Sequence, residues 1–250
     1  MNIGNSVVLN TLGVPVINSF EHLCEQLSVT EQLLYFLTYK KKYCYFEKKI
    51  PKKDKTERTL NVPSLSLKVV QRWILKEILK PWDGNAQAMA FIPHKNGLRE
   101  NAERHKKNIF LLEMDITNFF GTITEQQVYR LFCNIGYNSK VAGVLANLCT
   151  YDGYLPQGAV TSPYIANLVC YHMDARINGY CSRKDIVYTR YADDLTFSSN
   201  NRTLLNKVEK FIKYIVADEG FKINDKKTRY LSNDVKKTAW AITVNDDSIH

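Results

Sequence analysis

Apolar positions along the chain recur with two different periods. Leu67, Val70, Ile74 and Ile78 keep helical spacing and predict a helix over residues 66–79, with Lys68, Gln71, Arg72 and Lys76 on its other faces. Leu204, Leu205, Val208, Phe211, Ile212 and Ile215 predict a second amphipathic helix, which Gly220 stops. Ser28-Val29-Thr30-Glu31 has capping-box spacing ahead of Leu33, Leu34, Phe36 and Leu37, so a helix is expected to start there. Thr124 and Gln127 form another such pair. Ser162-Pro163 puts a cap residue before a proline at the first helical position and opens a helix to about Asn178. The run from Ile109 to Asp115 is short, apolar and ends in a carboxylate, which reads as a buried strand. Residues 185–199 read as two strands with Asp193-Asp194 at the turn between them. Helices and strands mix without regular alternation, so the fold class is α+β rather than a doubly wound sheet. There is no repeat and no low-complexity linker to mark an independent domain.

Composition narrows the partners more than the fold. The chain has 250 residues, enough for a sizeable core, and a hydrophobic share of 45% excludes wholesale disorder. The formal net charge of +9 favours polyanions, with nucleic acid the first partner to consider and an anionic membrane surface the second. That charge is concentrated. Residues 39–58 hold nine Lys or Arg against Glu47, Asp54 and Glu57, interleaved with Tyr39, Tyr43, Tyr45 and Phe46. Basic groups bind phosphates and aromatic faces accept stacked bases. A solvated basic hairpin with aromatic core residues fits the same pattern. No two of the six cysteines have CxxC spacing, which argues against a zinc ribbon and fits free thiols in a reducing compartment. The N-terminus lacks the basic start and apolar core of a signal peptide. The uncharged stretch between Asp152 and Asp174 is broken by Pro156, Gln157, Gly158 and Pro163, so it does not read as a membrane span. A cytoplasmic protein without a membrane partner is expected.

The chemistry centres on carboxylates. Asp115 ends a strand, and Tyr191-Ala192-Asp193-Asp194 forms a strand–turn–strand. Adjacent carboxylates between apolar strands repel each other, and a divalent cation offsets that cost. Three such carboxylates can hold two ions, one activating a primer hydroxyl and one steadying a leaving pyrophosphate. An isolated Asp-Asp pair is more often plain turn chemistry. Here it lies between apolar strands and has an upstream partner.

With MDITNFF around Asp115, LPQGAVTSP at residues 155–163 and YADD at residues 191–194, the chain resembles the reverse transcriptases from about Leu12 to Val244. The resemblance implies right-hand polymerase fingers and palm, the palm an antiparallel sheet backed by helices. It divides the chain into a helical extension (1–40), fingers with the basic hairpin (41–105), a first palm strand (106–124), a helical fingers segment (125–155) and a palm carrying the YADD hairpin (156–245). It implies RNA-directed DNA polymerase activity with two Mg²⁺ ions, or Mn²⁺ in their place. Asp115, Asp193 and Asp194 are the implied catalytic acids and metal ligands, with Ile116 in the metal set. Phe120 is the implied barrier to a ribose 2′-OH. Gln157 and Gly158 match the segment along the incoming nucleotide, Arg58 (with Lys49 as a weaker candidate) the contact to the triphosphate, and Lys227 the proton donor to pyrophosphate. RNA contacts are expected at Lys40, Lys41, Lys42, Lys68, Arg72, Asn101 and His105, although a locally satisfied helix-end histidine is the plainer reading of His105.

Asn101-Ala102-Glu103-Arg104-His105 matches the NAxxH element of retron reverse transcriptases. That likeness implies a cognate structured noncoding RNA, priming from an RNA 2′-OH, a branched RNA–DNA product, dNTPs as substrates, and a role in anti-phage defence with an effector protein. An intron-type or abortive-infection reverse transcriptase, or an RNA-binding scaffold with weak catalysis, are the competing readings. Two departures stand out. Ala239-Trp240-Ala241 occupies the place of the family's VTG, and the helical thumb expected after residue 245 is absent or truncated.

Overall fold

In the computed structural model, which describes residues 3–51, 57–82, 84–92, 96–232, 238–239, 242–245 and 248–249, the stripe Leu67, Val70, Ile74 and Ile78 is buried throughout. The helix that carries it is α-helical over its first half only. Three helices precede it, α1 (Ile3–Thr11), α2 (Phe20–Leu27) and α3 (Glu31–Tyr39), followed by the antiparallel hairpin β1 (Tyr45–Pro51) and β2 (Glu57–Pro63). Helix α4 (Leu65–Trp73) then runs into a π-helical turn, Ile74–Leu79, closed by the Lys80 N–H on the Leu75 carbonyl at 3.0 Å. The cap of α3 falls on Thr30, whose hydroxyl accepts from the Leu33 N–H. Ser28 instead ends α2 in a left-handed conformation, so the cap lies two residues later than predicted and, with Leu33 at its third position, forms no reciprocal box.

The chain continues with α5 (Gly97–His105), β3 (Phe110–Asp115), the short α6 (Phe119–Thr122), α7 (Glu125–Ile135) and α8 (Ser139–Cys149). Thr124 and Gln127 make the full reciprocal capping box that their spacing predicts. The helix expected from Ser162 to about Asn178 is two helices, α9 (Ser162–Val169) and α10 (Tyr171–Ser182), parted at Cys170. Ser162 directs its hydroxyl back to the Pro156 carbonyl at 2.7 Å and closes the loop before the helix. Next come β4 (Val187–Tyr191), β5 (Asp194–Ser199), α11 (Arg202–Asp218) and β6 (Arg229–Ser232). Short strands β7 (Thr238–Ala239), β8 (Ile242–Asn245) and β9 (Ser248–Ile249) form a small antiparallel sheet. Trp240 and Ala241, part of the VTG-position departure, lie outside the described residues.

These elements make two units, Met1–Asp83 with Phe120–Val169 and Gly84–Phe119 with Cys170–His250. The division places residues 84–105 with the sheet and residues 156–169 with the helices. In the first unit the loop at Pro156–Gly158 lies on the hairpin: the Asn61 N–H donates to the Gln157 carbonyl at 2.7 Å. Gly158, at φ +120°, leaves no room for a Cβ, which would stand 2.8 Å from the Asn61 carbonyl oxygen. Gln71, a polar residue of the predicted outer face, is buried. Its amide donates to Tyr45 Oη and to the Leu148 carbonyl, both at 3.0 Å, and its oxygen accepts from the Val160 N–H. One side chain thus ties α4, β1, α8 and the loop together.

The second unit is built on an antiparallel sheet of order β4-β5-β3-β6. Strand β3 is buried almost end to end, as its apolar run predicts. Helix α11 buries Leu205, Val208, Ile212, Ile215 and Val216, while Phe211 stays outside against Tyr180 at 4.0 Å between ring centroids. Among the described residues no helix is long and apolar enough to cross a membrane. All six cysteines are free thiols.

Candidate active site

The register of the sheet brings the carboxylates together. Asp115, the last residue of β3, stands directly opposite Asp194, the first residue of β5. Asp194 in turn pairs with Tyr191 across the β4–β5 hairpin, whose two-residue turn is Ala192-Asp193. Ala192 takes a positive φ of 57°, the conformation a tight two-residue hairpin demands of its first central residue. The Asp193 carbonyl accepts the Ile116 N–H at 2.8 Å, which locks the turn to the end of β3. One carboxylate oxygen from each of Asp115, Asp193 and Asp194 lies within 4.8 Å of the others. Ile116 is buried beside them and bridges to Ile223.

Two buried networks hold the hairpin that carries two of the acids. Arg190, the residue before Tyr191, is fully buried and meets Asp174 of α10 in a fork: Nε to Oδ1 at 2.9 Å and Nη2 to Oδ2 at 2.7 Å. Its Nη1 donates to the Ala192 carbonyl at 3.1 Å, so the guanidinium reaches the turn that carries Asp193. Tyr188 Oη donates to the same Asp174 at 2.8 Å. Burial works against the arginine's charge, but Asp174 outweighs it and raises the pKa. Burial and the neighbouring Asp174 likewise push the Tyr188 phenol well up. The second network lies further along the same strands. His105 Nδ1 is 2.7 Å from Ser198 Oγ and its Nε2 is 2.7 Å from Thr189 Oγ1. Thr189 also donates to Asn101, and Asn108 donates to Ser198 at 2.7 Å. A ring carrying its proton on Nε2 satisfies every one of these bonds. Asn101 and His105 are fully buried. The expectation that they contact RNA is therefore corrected here: both face the strands of the hairpin, because each strand offers a buried hydroxyl that needs a partner.

The carboxylates are crowded and their charge is only partly matched. Burial, then the nearness of Asp193 and Asp115, pushes the Asp194 carboxyl from 3.8 up to about 8. Lys227, from the turn before β6, places Nζ 2.7 Å from Asp115 Oδ2. That hydrogen bond raises the lysine's pKa, against the cost of its desolvation, and keeps it cationic. Glu113 lies two residues before Asp115 on the same face of β3. Burial raises its pKa, and Arg229 at 3.3 Å partly offsets the rise. Hard divalent cations take carboxylate oxygens, so Asp115, Asp193 and Asp194 fit such an ion, whose charge would relieve the repulsion.

The remaining expected site residues belong to the first unit. Arg58 is exposed on β2, Phe120 is half-buried at the start of α6, and Gln157 and Gly158 sit in the loop held against β2. Lys49 pairs with Glu57 at 3.0 Å on the exposed hairpin. Lys40 and Lys42 are exposed, and on α4 Lys68 is half-buried and Arg72 exposed. Lys41 differs from its neighbours. Its Nζ is 3.2 Å from Glu125 and 3.3 Å from Thr150, and burial pulls its pKa down, with Glu125 restoring part. It is occupied within the fold. Sequence reasoning missed Asp174, Arg190 and Glu113. A signal for the first two was present: a lone arginine in an apolar strand, and the first charge after the uncharged stretch that follows Asp152.

Residues 50–242 match the family of reverse transcriptases (RNA-dependent DNA polymerases). The chain is 37% identical over 228 residues to the Ec86 retron reverse transcriptase of Escherichia coli, covering 90% of this chain and 70% of that protein. It is 32% identical to the Mx65 and 28% identical to the Mx162 retron reverse transcriptases of Myxococcus xanthus, of whose lengths it spans 50% and 54%. In fold it is similar to the telomerase of Candida albicans, solved with a fragment of telomeric RNA. The TM-score is 0.60 at 13% identity, over 82% of this chain and 45% of that one. The mixed helices and antiparallel sheets are those of a fingers-and-palm polymerase fold.

The crowding has a measurable consequence for stability. Because the folded chain holds Asp194 protonated from pH 3.8 to about 8, stability is full below the ordinary carboxylate range and is lost as pH rises toward 8. Without divalent cation, Asp194→Asn is expected to match wild type near pH 4 and to exceed it by about 2 kcal/mol or more at pH 8. Urea unfolding across that range measures the gap; a gap that stays flat with pH contradicts the assignment.

Proposed function

The chain belongs to the reverse transcriptases, among those of retrons, and on that premise we propose that it polymerises DNA on an RNA template with Mg²⁺ at Asp115, Asp193 and Asp194. The observation that carries this reading is the approach of those three carboxylates to within 4.8 Å at the end of one sheet. Two bound Mg²⁺ ions, or Mn²⁺ in their place, would supply the Lewis acidity that makes a primer hydroxyl nucleophilic and steadies the leaving pyrophosphate. The protein's own groups do the rest. Asp115, Asp193 and Asp194 fix where that charge stands, because Arg190 and the Ile116 N–H hold the turn rigid. Arg58 grips the triphosphate with its two-pronged guanidinium. Gln157 and Gly158 lie along the nucleotide, and the Phe120 ring fills the space a ribose 2′-OH would need, which selects dNTPs over rNTPs. Lys227, kept protonated at Nζ, is the proton donor to pyrophosphate.

The template is proposed to be part of a cognate structured noncoding RNA, copied from an RNA 2′-OH to give a branched RNA–DNA molecule that serves anti-phage defence together with an effector protein. The likeness to retron reverse transcriptases supports this. Lys40, Lys42, Lys68 and Arg72 are the proposed RNA contacts, with residues 41–105 and 125–155 as fingers and residues 106–124 and 156–245 as palm.

With poly(rA)·oligo(dT), dTTP and Mg²⁺, the chain expressed with its own locus is expected to incorporate dTTP. Asp193→Asn is expected to lose about a thousandfold, about 4 kcal/mol of barrier. Equal incorporation by the variant contradicts the assignment. Sequencing of the nucleic acid that co-purifies is expected to return RNA joined to DNA at a branch. Phe120→Ala is expected to raise rUTP incorporation relative to dTTP by tenfold or more on the order of a lost steric barrier; an unchanged ratio removes Phe120 from the sugar site.

A further inference from the structure

Five aromatic side chains in the twelve residues from Tyr35 to Phe46 stand between 42% and 62% exposed: Tyr35, Phe36, Tyr39, Tyr43 and Phe46. They are not scattered. The rings of Tyr35 and Tyr39, one helical turn apart, are 4.8 Å between centroids. Phe36 and Tyr43 lie nearly parallel, 6.3 Å apart with 20° between planes. The Lys42 ammonium sits 4.9 Å from the centre of the Tyr43 ring. Beside them opens a cleft of about 660 Å³ lined in part by Tyr39, Lys40, Lys42, Asn147 and Tyr151. Asn147 lines the cleft with its side-chain oxygen buried. Asp152 is the acid on this rim, and Lys41 is already held by Glu125.

We propose that this face of α3 and the adjoining cleft form a stacking platform for an unpaired RNA segment, separate from the carboxylate cluster. Several physical facts favour that occupant. Exposed rings cost free energy in water, and base faces satisfy them without regard to sequence. Between Tyr39 and Pro51 there are five lysines against one acid, Glu47. Lysine is depleted at protein–protein contacts and enriched where phosphates bind. The exposed Lys40 and Lys42 flank the rings and meet the strand's phosphates. The proposal rests on the reading of this chain as one that handles RNA, but it needs no polymerisation.

The test is fluorescence anisotropy of a labelled unstructured RNA 12-mer with the full chain in EDTA, where no synthesis occurs. Tyr39→Ala with Tyr43→Ala is expected to weaken binding roughly tenfold or more with the salt slope unchanged, and the two Tyr→Phe changes to retain wild-type affinity. Lys40→Ala with Lys42→Ala is expected to flatten the slope of log K against log salt by about 1.4. The platform is overturned if the alanine pair binds within twofold of wild type, or if the phenylalanine pair loses as much as the alanine pair. Tighter binding of a DNA 12-mer of the same sequence overturns the assignment to RNA. Unchanged RNA affinity with a shift in the monomer–dimer balance would give the face to a second copy of the chain. Because the assay contains no metal, loss of dTTP incorporation in Asp193→Asn and loss of RNA affinity here fail or succeed separately.

Discussion

Like charges forced together by strand register are the constraint on which this protein turns. Asp115 and Asp194 are paired across β3 and β5, and Asp193 follows from the tight turn, so no rotamer choice can separate the three widely. Folding brings them together before any cation is considered, and in that state Asp194 resists ionisation and Lys227 leans on Asp115. The neighbouring structure reads as support for that crowding. Arg190 is held by Asp174 and by the backbone of the turn. Among the described residues the lysine that touches them is Lys227, exposed and held by a single contact, an arrangement a divalent ion can displace or share.

The same logic explains the buried polar groups of the sheet unit. A hairpin that must keep two carboxylates at its tip cannot be allowed to slip by one residue, since that would turn every side chain to the other face. Arg190–Asp174–Tyr188 and His105–Thr189–Ser198 each have one geometry in which their donors and acceptors are met. Removing one partner strands the other in the interior, which costs more than the pair contributes. In this structure the NAxxH element is therefore part of the clamp on the β4–β5 hairpin.

Much of this was legible in the sequence, and what was not has identifiable causes. The α+β class, the buried strand ending at Asp115, the hairpin that carries Asp193 and Asp194 (its turn one residue earlier than expected, at Ala192-Asp193) and the Thr124–Gln127 box depend on local pattern, and local pattern showed them. The break at Cys170 and the π-turn after Trp73 depend on tertiary packing, which overrides the helical period that continues through both. Gln71 falls on the outer face of its helix by period, and Asn101 and His105 were expected at RNA, with a locally satisfied ring the plainer reading of His105. Each is buried because a partner far along the chain supplies its hydrogen bonds, and those partners are invisible to a one-dimensional pattern. Lys41 was grouped with Lys40 and Lys42 by sequence, but Glu125 separates it from them.

A cation held by Asp115, Asp193 and Asp194 would relieve their mutual repulsion and displace the proton on Asp194. Calorimetric titration with Mn²⁺ at pH 7, repeated in buffers of different ionisation enthalpy, counts the protons released per site. With Asp194 held protonated up to about 8, wild type is predicted to release about one proton on binding and Asp194→Asn close to none. Binding by wild type without proton release, or no saturable binding at all, would contradict the account.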